Sequence, residues 1–280
     1  MQSINNFIFT FRNKCNMNCK FCFIPFVDKS IGNLNLWKEI IDYLFKFNPQ
    51  MITFGGGDPF IFPDFLELLK YTKQYNILVQ VDTNGLNLKP HMYDIVENYI
   101  DLLGFPLDGV GEVHDNFRQC QGHFNIILQH LKKLSTRNCK IKINSVITTF
   151  NYKSLIELAN LLNEFNFSCW SLHEFCFYEN INSNKYKLDE QLILNTADKI
   201  KNISKNKVQF IRLSEVKNQH IFISSIGDFY IADTHCQNKY LELGNFQNPG
   251  IMKTLEKYVD QYAVAKRYDR KIYESNNSLL

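Results

Sequence analysis

The sequence predicts an α/β protein: a partial (β/α)6 barrel over residues 1–180, with a small C-terminal extension, residues 181–280, completing and covering it. Three observations carry this expectation. Short apolar runs alternate with longer stretches whose apolar residues recur at helical spacing, giving about six strand–helix units in a row. That rhythm calls for parallel strands joined by right-handed crossovers. Glycine-rich and polar strings follow the apolar runs, which gathers them at the C-terminal edge of the sheet, where parallel α/β folds build their sites.

Residues 7–11 (FIFTF) make the first expected strand, and a cysteine-rich loop follows it. A helix is expected over 36–47, a buried strand over 51–54 ending in glycines, and a helix over 62–75. The third strand, 77–81, runs into Asp82-Thr83-Asn84-Gly85. A helix over 92–99 and a strand over 102–105 precede a polar loop, and a helix over 124–134 follows it. Residues 140–147 alternate strongly: Lys142, Asn144 and Thr148 fall on one face, Ile141, Ile143 and Ser145 on the other. Polar side chains on one face of a core strand imply polar ligands at the barrel mouth, or else a solvated edge. A helix over 155–165 and a strand over 168–177 end the sixth unit. Beyond residue 180 the expectations are a Lys/Asn-rich helix over 188–203, two short strands around a turn at Gly227-Asp228, a helix over 251–268 and a frayed tail.

Composition narrows the function. With 45% hydrophobic residues the chain can bury a core without disulfide staples. Thirty-one Lys and Arg against 28 Asp and Glu leave a net charge of +3, too mild to argue for nucleic acid or an acidic membrane as partner. Charges interrupt every apolar segment, and the first residues lack a basic region ahead of a long apolar run, so a cytoplasmic location is expected.

The eight cysteines are unevenly spread. Cys120, Cys139, Cys169, Cys176 and Cys236 stand apart and read as small core residues. Cys15, Cys19 and Cys22 crowd into CNMNCKFCF. Three thiolates on one tight loop suit three irons of a [4Fe-4S] cubane and leave the fourth iron open. A zinc site, which normally takes four protein ligands, would need a distant residue to complete it.

This pattern, with the aromatic Phe21 just before the third cysteine, resembles the radical S-adenosylmethionine (radical SAM) superfamily. The resemblance implies a partial barrel of radical SAM type in which the open iron chelates the methionine moiety of S-adenosylmethionine. Reductive cleavage of that cofactor then gives a 5′-deoxyadenosyl radical. Gly56, Gly57, Asp58 and Pro59 match the family's Gly-Gly-Glu-Pro, which binds the methionine amino group, with Asp58 one methylene shorter than Glu. Thr83 and Asn84 resemble the position that lines the cofactor, and LDGVGEVHDNFRQCQG resembles a stretch in which Arg118 meets a carboxylate or phosphate. Asp108 and His114 read equally as functional members of that stretch and as loop and capping residues, and His123 reads as structural or solvated rather than catalytic.

KINSVI, followed by Asn151, and the Trp170 strand are similar to the viperin-type branch of the superfamily. That likeness implies removal of the 3′-hydroxyl of a nucleoside triphosphate, in antiviral defence, with Lys142 and Asn144 on the nucleotide, Asn144 near the cofactor and a flavodoxin or ferredoxin-like electron donor. Ser171 stands where that branch has a lysine, so one triphosphate contact is missing. The membrane-binding N-terminal helix of the branch's animal members has no counterpart either. Two other classes stay open: a radical enzyme modifying a peptide or another small molecule, and a non-enzymatic zinc module.

Overall fold

The computed structural model describes residues 6–22, 24, 31–176, 185–213, 221–233 and 239–258. Its first six strands are β1 (Asn6–Arg12), β2 (Met51–Gly56), β3 (Leu78–Asp82), β4 (Leu102–Pro106), β5 (Ile141–Ile147) and β6 (Cys169–Glu174). They lie side by side in chain order and all pairings are parallel. Helices α1 (Leu34–Phe45), α2 (Phe65–Thr72), α3 (Tyr93–Tyr99), α4 (Glu112–Arg118), α5 (His123–Leu134) and α6 (Tyr152–Leu162) fill the crossovers. The expected (β/α)6 architecture is therefore present.

The extension supplies α7 (Glu190–Ile203), β7 (Val208–Ile211), β8 (Ile221–Ser224), β9 (Asp228–Asp233), β10 (Lys239–Asn245) and α8 (Ile251–Tyr258). β7 pairs with β6 and β8 with β1, both parallel, while β9 and β10 follow antiparallel. The sheet thus runs β10-β9-β8-β1-β2-β3-β4-β5-β6-β7, with β10 and β7 at its two ends, and the barrel stays open. The expected boundary near residue 180, Cys236, the end of the last helix and the tail lie outside the described residues.

Three elements differ from expectation. The polar loop after β4 contains α4, a seven-residue helix entered through Gly111 at φ +54 and closed by Gln119 at φ +55. Its sequence, EVHDNFR, has no continuous apolar stripe, and burial of His114, Asp115 and Phe117 against neighbouring elements holds it helical. β7 and β10 were unforeseen. β7 is four residues long, and both are stabilised as strands by their sheet partners.

Strand alternation separates two faces of the sheet. The outer face carries the main core: Phe7, Phe9 and Phe11 of β1 and Phe54 of β2 pack with Trp37, Ile40 and Leu44 of α1 and Phe65 of α2. Phe11 stacks on Phe65 at 5.4 Å and meets Trp37 edge-on at 5.3 Å. On β6, Trp170 faces this side and donates Nε1–H to Ser145 Oγ at 2.8 Å. The inner face is polar. In register across it stand Thr53 and Gln80, then Asp82, Gly104 and Lys142, then Asn144, Ser171 and Gln209.

Candidate active site

The cysteine loop leaves the C-terminal end of β1 and is held from both sides. On one side the β2 loop docks onto its backbone: Gly57 N–H donates to Arg12 O at 2.9 Å and Asp58 N–H to Lys14 O at 3.1 Å. Glycine is required for this approach. A Cβ on Gly57 would lie 1.7 Å from Lys14 O, and one on Gly56, at φ +103, would lie 2.7 Å from Arg12 O. On the other side Phe21 stacks on Phe117 of α4 at 4.0 Å, and the Arg118 guanidinium lies over the Phe21 ring at 5.1 Å. Phe175 and Tyr186 complete this small apolar cluster. Within the loop, Cys22 N–H bonds Cys19 O at 3.1 Å and Met17 N–H reaches Cys15 Sγ at 3.4 Å.

Asp58 joins the β2 loop to the turn after β3. Its carboxylate is almost fully buried; Oδ1 accepts from Phe60 N–H, and Oδ2 from Thr83 Oγ–H and Asn84 N–H, the last two at 2.7 Å. Burial raises its pKa, and the three donors oppose that by stabilising the charge. Asn84 then reaches the cysteines: Nδ2 donates to Asn16 Oδ1 at 2.7 Å and to Cys15 Sγ at 3.5 Å, while Oδ1 accepts from Leu86 N–H.

Arg118 meets a carboxylate, that of the protein's own buried Asp108, at 2.6 Å from Nε. Asp108 also accepts from Val146 N–H at 2.8 Å, tying α4 to β5. Arg118 O receives Cys19 Sγ–H at 3.5 Å.

On the inner wall Asp82 accepts from Gln80 Nε2 at 3.1 Å and, across β4, from Asn144 Nδ2 at 3.2 Å. Gly104 makes that bridge possible, because a Cβ there would lie 2.0 Å from Asp82 Oδ1. The bridge fixes the Asn144 amide so that Oδ1 faces away from Asp82. That atom, and Ser171 Oγ on the paired position of β6, are buried without a hydrogen-bond partner among the described residues. Lys142, one residue pair deeper, is half-buried on the same wall.

The structure therefore brings together Cys15, Cys19, Cys22, Phe21, Gly56, Gly57, Asp58, Thr83, Asn84 and Arg118 around one loop. Lys142 and Asn144 stand on the adjoining wall. Sequence reasoning passed over Gln80, Asp82 and Gly104 on that wall; His123, which it read as structural or solvated, is buried and paired with His114 behind Asn84. A glycine inside a strand, as at Gly104, is the signal that marks a close approach.

The family model for the radical SAM superfamily matches residues 9–162. The chain belongs to the radical SAM superfamily. Among curated radical SAM relatives, the S-adenosylmethionine-dependent nucleotide dehydratase of Flammeovirga pacifica is 27% identical over 93% of this chain and 92% of its own length. The mycofactocin maturase MftC of Mycobacterium tuberculosis is 31% identical over 54% of this chain and 40% of its own. Several further relatives are likewise matched over less than half of their length. Among solved structures, Streptococcus suis SuiB bound to its precursor peptide SuiA superposes with a TM-score of 0.73 at 17% identity, covering 99% of this chain and 69% of SuiB. That likeness shows the fold.

The residues present fit the radical SAM cofactors. Cys15, Cys19 and Cys22 are free thiols on one loop, all partly accessible, and would hold the [4Fe-4S] cluster. Burial raises all three thiol pKa values, that of Cys22 to about 11, so loading metal displaces their protons. A cleft of about 550 Å³ opens beside Cys15, lined also by Arg12, Asn13 and Met17. Among the described residues no helix is long and apolar enough to cross a membrane.

Proposed function

We propose that this radical SAM enzyme takes a hydrogen atom from a substrate seated on the inner wall beside Asn144, and that the substrate is a nucleoside triphosphate converted to its 3′-deoxy-3′,4′-didehydro form. When bound, the reduced cluster and S-adenosylmethionine supply a 5′-deoxyadenosyl radical. The chain's own residues hold and orient: the cysteines bind iron, Asn84 braces Cys15, and Lys142 and Asn144 present a cation and a fixed amide to the substrate. The observation that carries the nucleotide reading is the extent of the match to the Flammeovirga dehydratase, which runs through the extension, whereas the maturase match covers 54% of the chain. A flavodoxin or ferredoxin-like protein is the electron donor this chemistry calls for, and the cytoplasm its setting.

A second reading, modification of a peptide, is favoured by two observations. The solved neighbours that span nearly the whole chain include SuiB with its precursor peptide and anSMEcpe with bound peptides. The inner face of β6 presents Cys169 and Ser171, both fully buried and uncharged, where a triphosphate would be served by a cation.

Anaerobic incubation of the iron-loaded enzyme with S-adenosylmethionine, a reductant and each ribonucleoside triphosphate separates the readings. The nucleotide reading expects 5′-deoxyadenosine together with a nucleotide lighter by one water in the mass spectrum. Deoxyadenosine with every nucleotide unchanged contradicts it and leaves the peptide reading.

A further inference from the structure

We infer that His114 and His123 are positioning residues for the cluster: a chain of two neutral imidazoles with fixed tautomers that sets the Asn84 turn, and through it the amide that donates to Cys15. This goes beyond the substrate readings and holds under either of them.

The tautomers follow from the partners. Asp108 N–H can only donate, so His114 Nδ1, 2.9 Å away, accepts and the ring's proton sits on Nε2. That Nε2–H points at His123 Nδ1 at 2.7 Å, which must accept. His123 therefore carries its proton on Nε2 and donates it to Asn84 O at 2.7 Å. Neither ring is accessible to solvent. Burial holds both in the neutral state, His114 down to about 2.

A second imidazole secures the next peptide of the same turn. His130 Nε2–H donates to Gly85 O at 2.9 Å, and its Nδ1 accepts from Tyr93 O–H at 2.8 Å. From the opposite side Asp58 takes Asn84 N–H. The Asn84 backbone is thus held by a donor and an acceptor at once, and with Oδ1 accepting from Leu86 N–H its amide points toward Asn16 and Cys15.

The consequence concerns the cluster's electron affinity. Hydrogen bonds to coordinating sulfur stabilise the reduced, more negative cluster and raise its potential. His114 on α4 and His123 on α5, out of contact with any cysteine Sγ among the described contacts, would therefore tune that potential through Asn84.

The test measures the midpoint potential and the electron paramagnetic resonance g-values of the reduced cluster in the iron-loaded protein, without substrate. His123→Leu removes the donor to Asn84 O. His123→Gln keeps an N–H at the same reach. His114→Asn keeps the bond to Asp108 N–H but ends short of His123. The expected result is a lower potential and shifted g-values in His123→Leu, a smaller shift of the same sign in His114→Asn, and recovery toward the wild type in His123→Gln. Generic loosening of the fold would treat Leu and Gln alike, so equal shifts in the two overturn the inference. So does a wild-type potential in His123→Leu at full iron content. If His123→Leu fails to fold, the other two decide: an unchanged potential in His114→Asn, or a fully shifted one in His123→Gln, overturns it.

Discussion

The loop end of the barrel and the inner wall between β3 and β6 are both polar and both partly buried, yet they are built differently. At the loop end the side chains of Asp58, Thr83, Asn84 and Arg118 are paired within the protein. Asp58 takes three donors, Thr83 and Asn84 bond Asp58 and the cysteine loop, and Arg118 neutralises Asp108. On the wall, Asn144 Oδ1 and Ser171 Oγ are buried and unanswered among the described residues, which in a folded protein costs about 1–3 kcal/mol per group. On the proposed reading, the difference separates two kinds of ligand: the loop end frames an inorganic group held by sulfur, and the wall keeps hydrogen-bonding capacity for an organic substrate.

The largest expected effect breaks the frame at its ligands. Cys15→Ala, Cys19→Ala or Cys22→Ala should abolish S-adenosylmethionine cleavage, read as loss of 5′-deoxyadenosine; undiminished cleavage removes that cysteine from the ligand set. Next is the docking surface. Gly57→Ala puts a carbon 1.7 Å from Lys14 O, a position real atoms do not share, so the cysteine loop must shift. Iron content after reconstitution should fall severely in this variant, while Gly55→Ala, where a Cβ meets nothing nearer than Ile8 at 3.9 Å, should retain far more. Equal iron in the two would show that the close approach is not needed.

Asp58→Asn turns an acceptor of three hydrogen bonds into a group with one donor end facing donors. The expected cost is about 1–3 kcal/mol of stability, seen as a lower unfolding midpoint in urea. An unchanged midpoint would contradict the role of Asp58 as the joint between β2 and β3.

The wall should answer in the opposite sense. Ser171→Ala removes an unsatisfied buried hydroxyl, so the ligand-free protein should be unchanged or more stable by up to about 1 kcal/mol, while substrate binding weakens. Destabilisation together with intact binding would make Ser171 an ordinary core residue and erase the contrast.

A further effect is the pH dependence of the histidines. Their folded pKa values lie below the ordinary 6.5, so between about 2 and 6.5 the unfolded chain binds more protons than the folded one. Stability is then full above about 6.5 and falls as the pH drops through that window. His123→Gln should flatten the decline measured by urea unfolding at pH 7 and pH 5; an equally steep decline would assign it to other groups.

Much of this architecture was legible in the sequence because periodicity and residue type report on it directly. Strand–helix alternation gave the order of β1 to β6, and the C-x3-C-x2-C spacing singled out the cysteines proposed as iron ligands. Roles that depend on a partner elsewhere in the chain were not legible. Asp58 read as a ligand-binding carboxylate, and the structure places its oxygens on Thr83, Asn84 and Phe60. Arg118 read as a fork for a ligand, and it meets Asp108. α4 is too short and too polar to declare itself without Phe21 and the β5 backbone beside it. Gly104 carried its signal openly, a glycine inside a strand, but what it makes room for, the Asp82–Asn144 bridge, comes from two other strands.

The central claim is that three thiolates hold a cubane with one iron left open to S-adenosylmethionine. The most direct measurement is the electron paramagnetic resonance spectrum of the reduced, reconstituted protein at four irons per chain, recorded before and after adding S-adenosylmethionine. The account expects a [4Fe-4S]⁺ signal whose g-values move when the cofactor binds. A spectrum indifferent to the cofactor, or a colourless protein that takes up zinc and no iron, would contradict it.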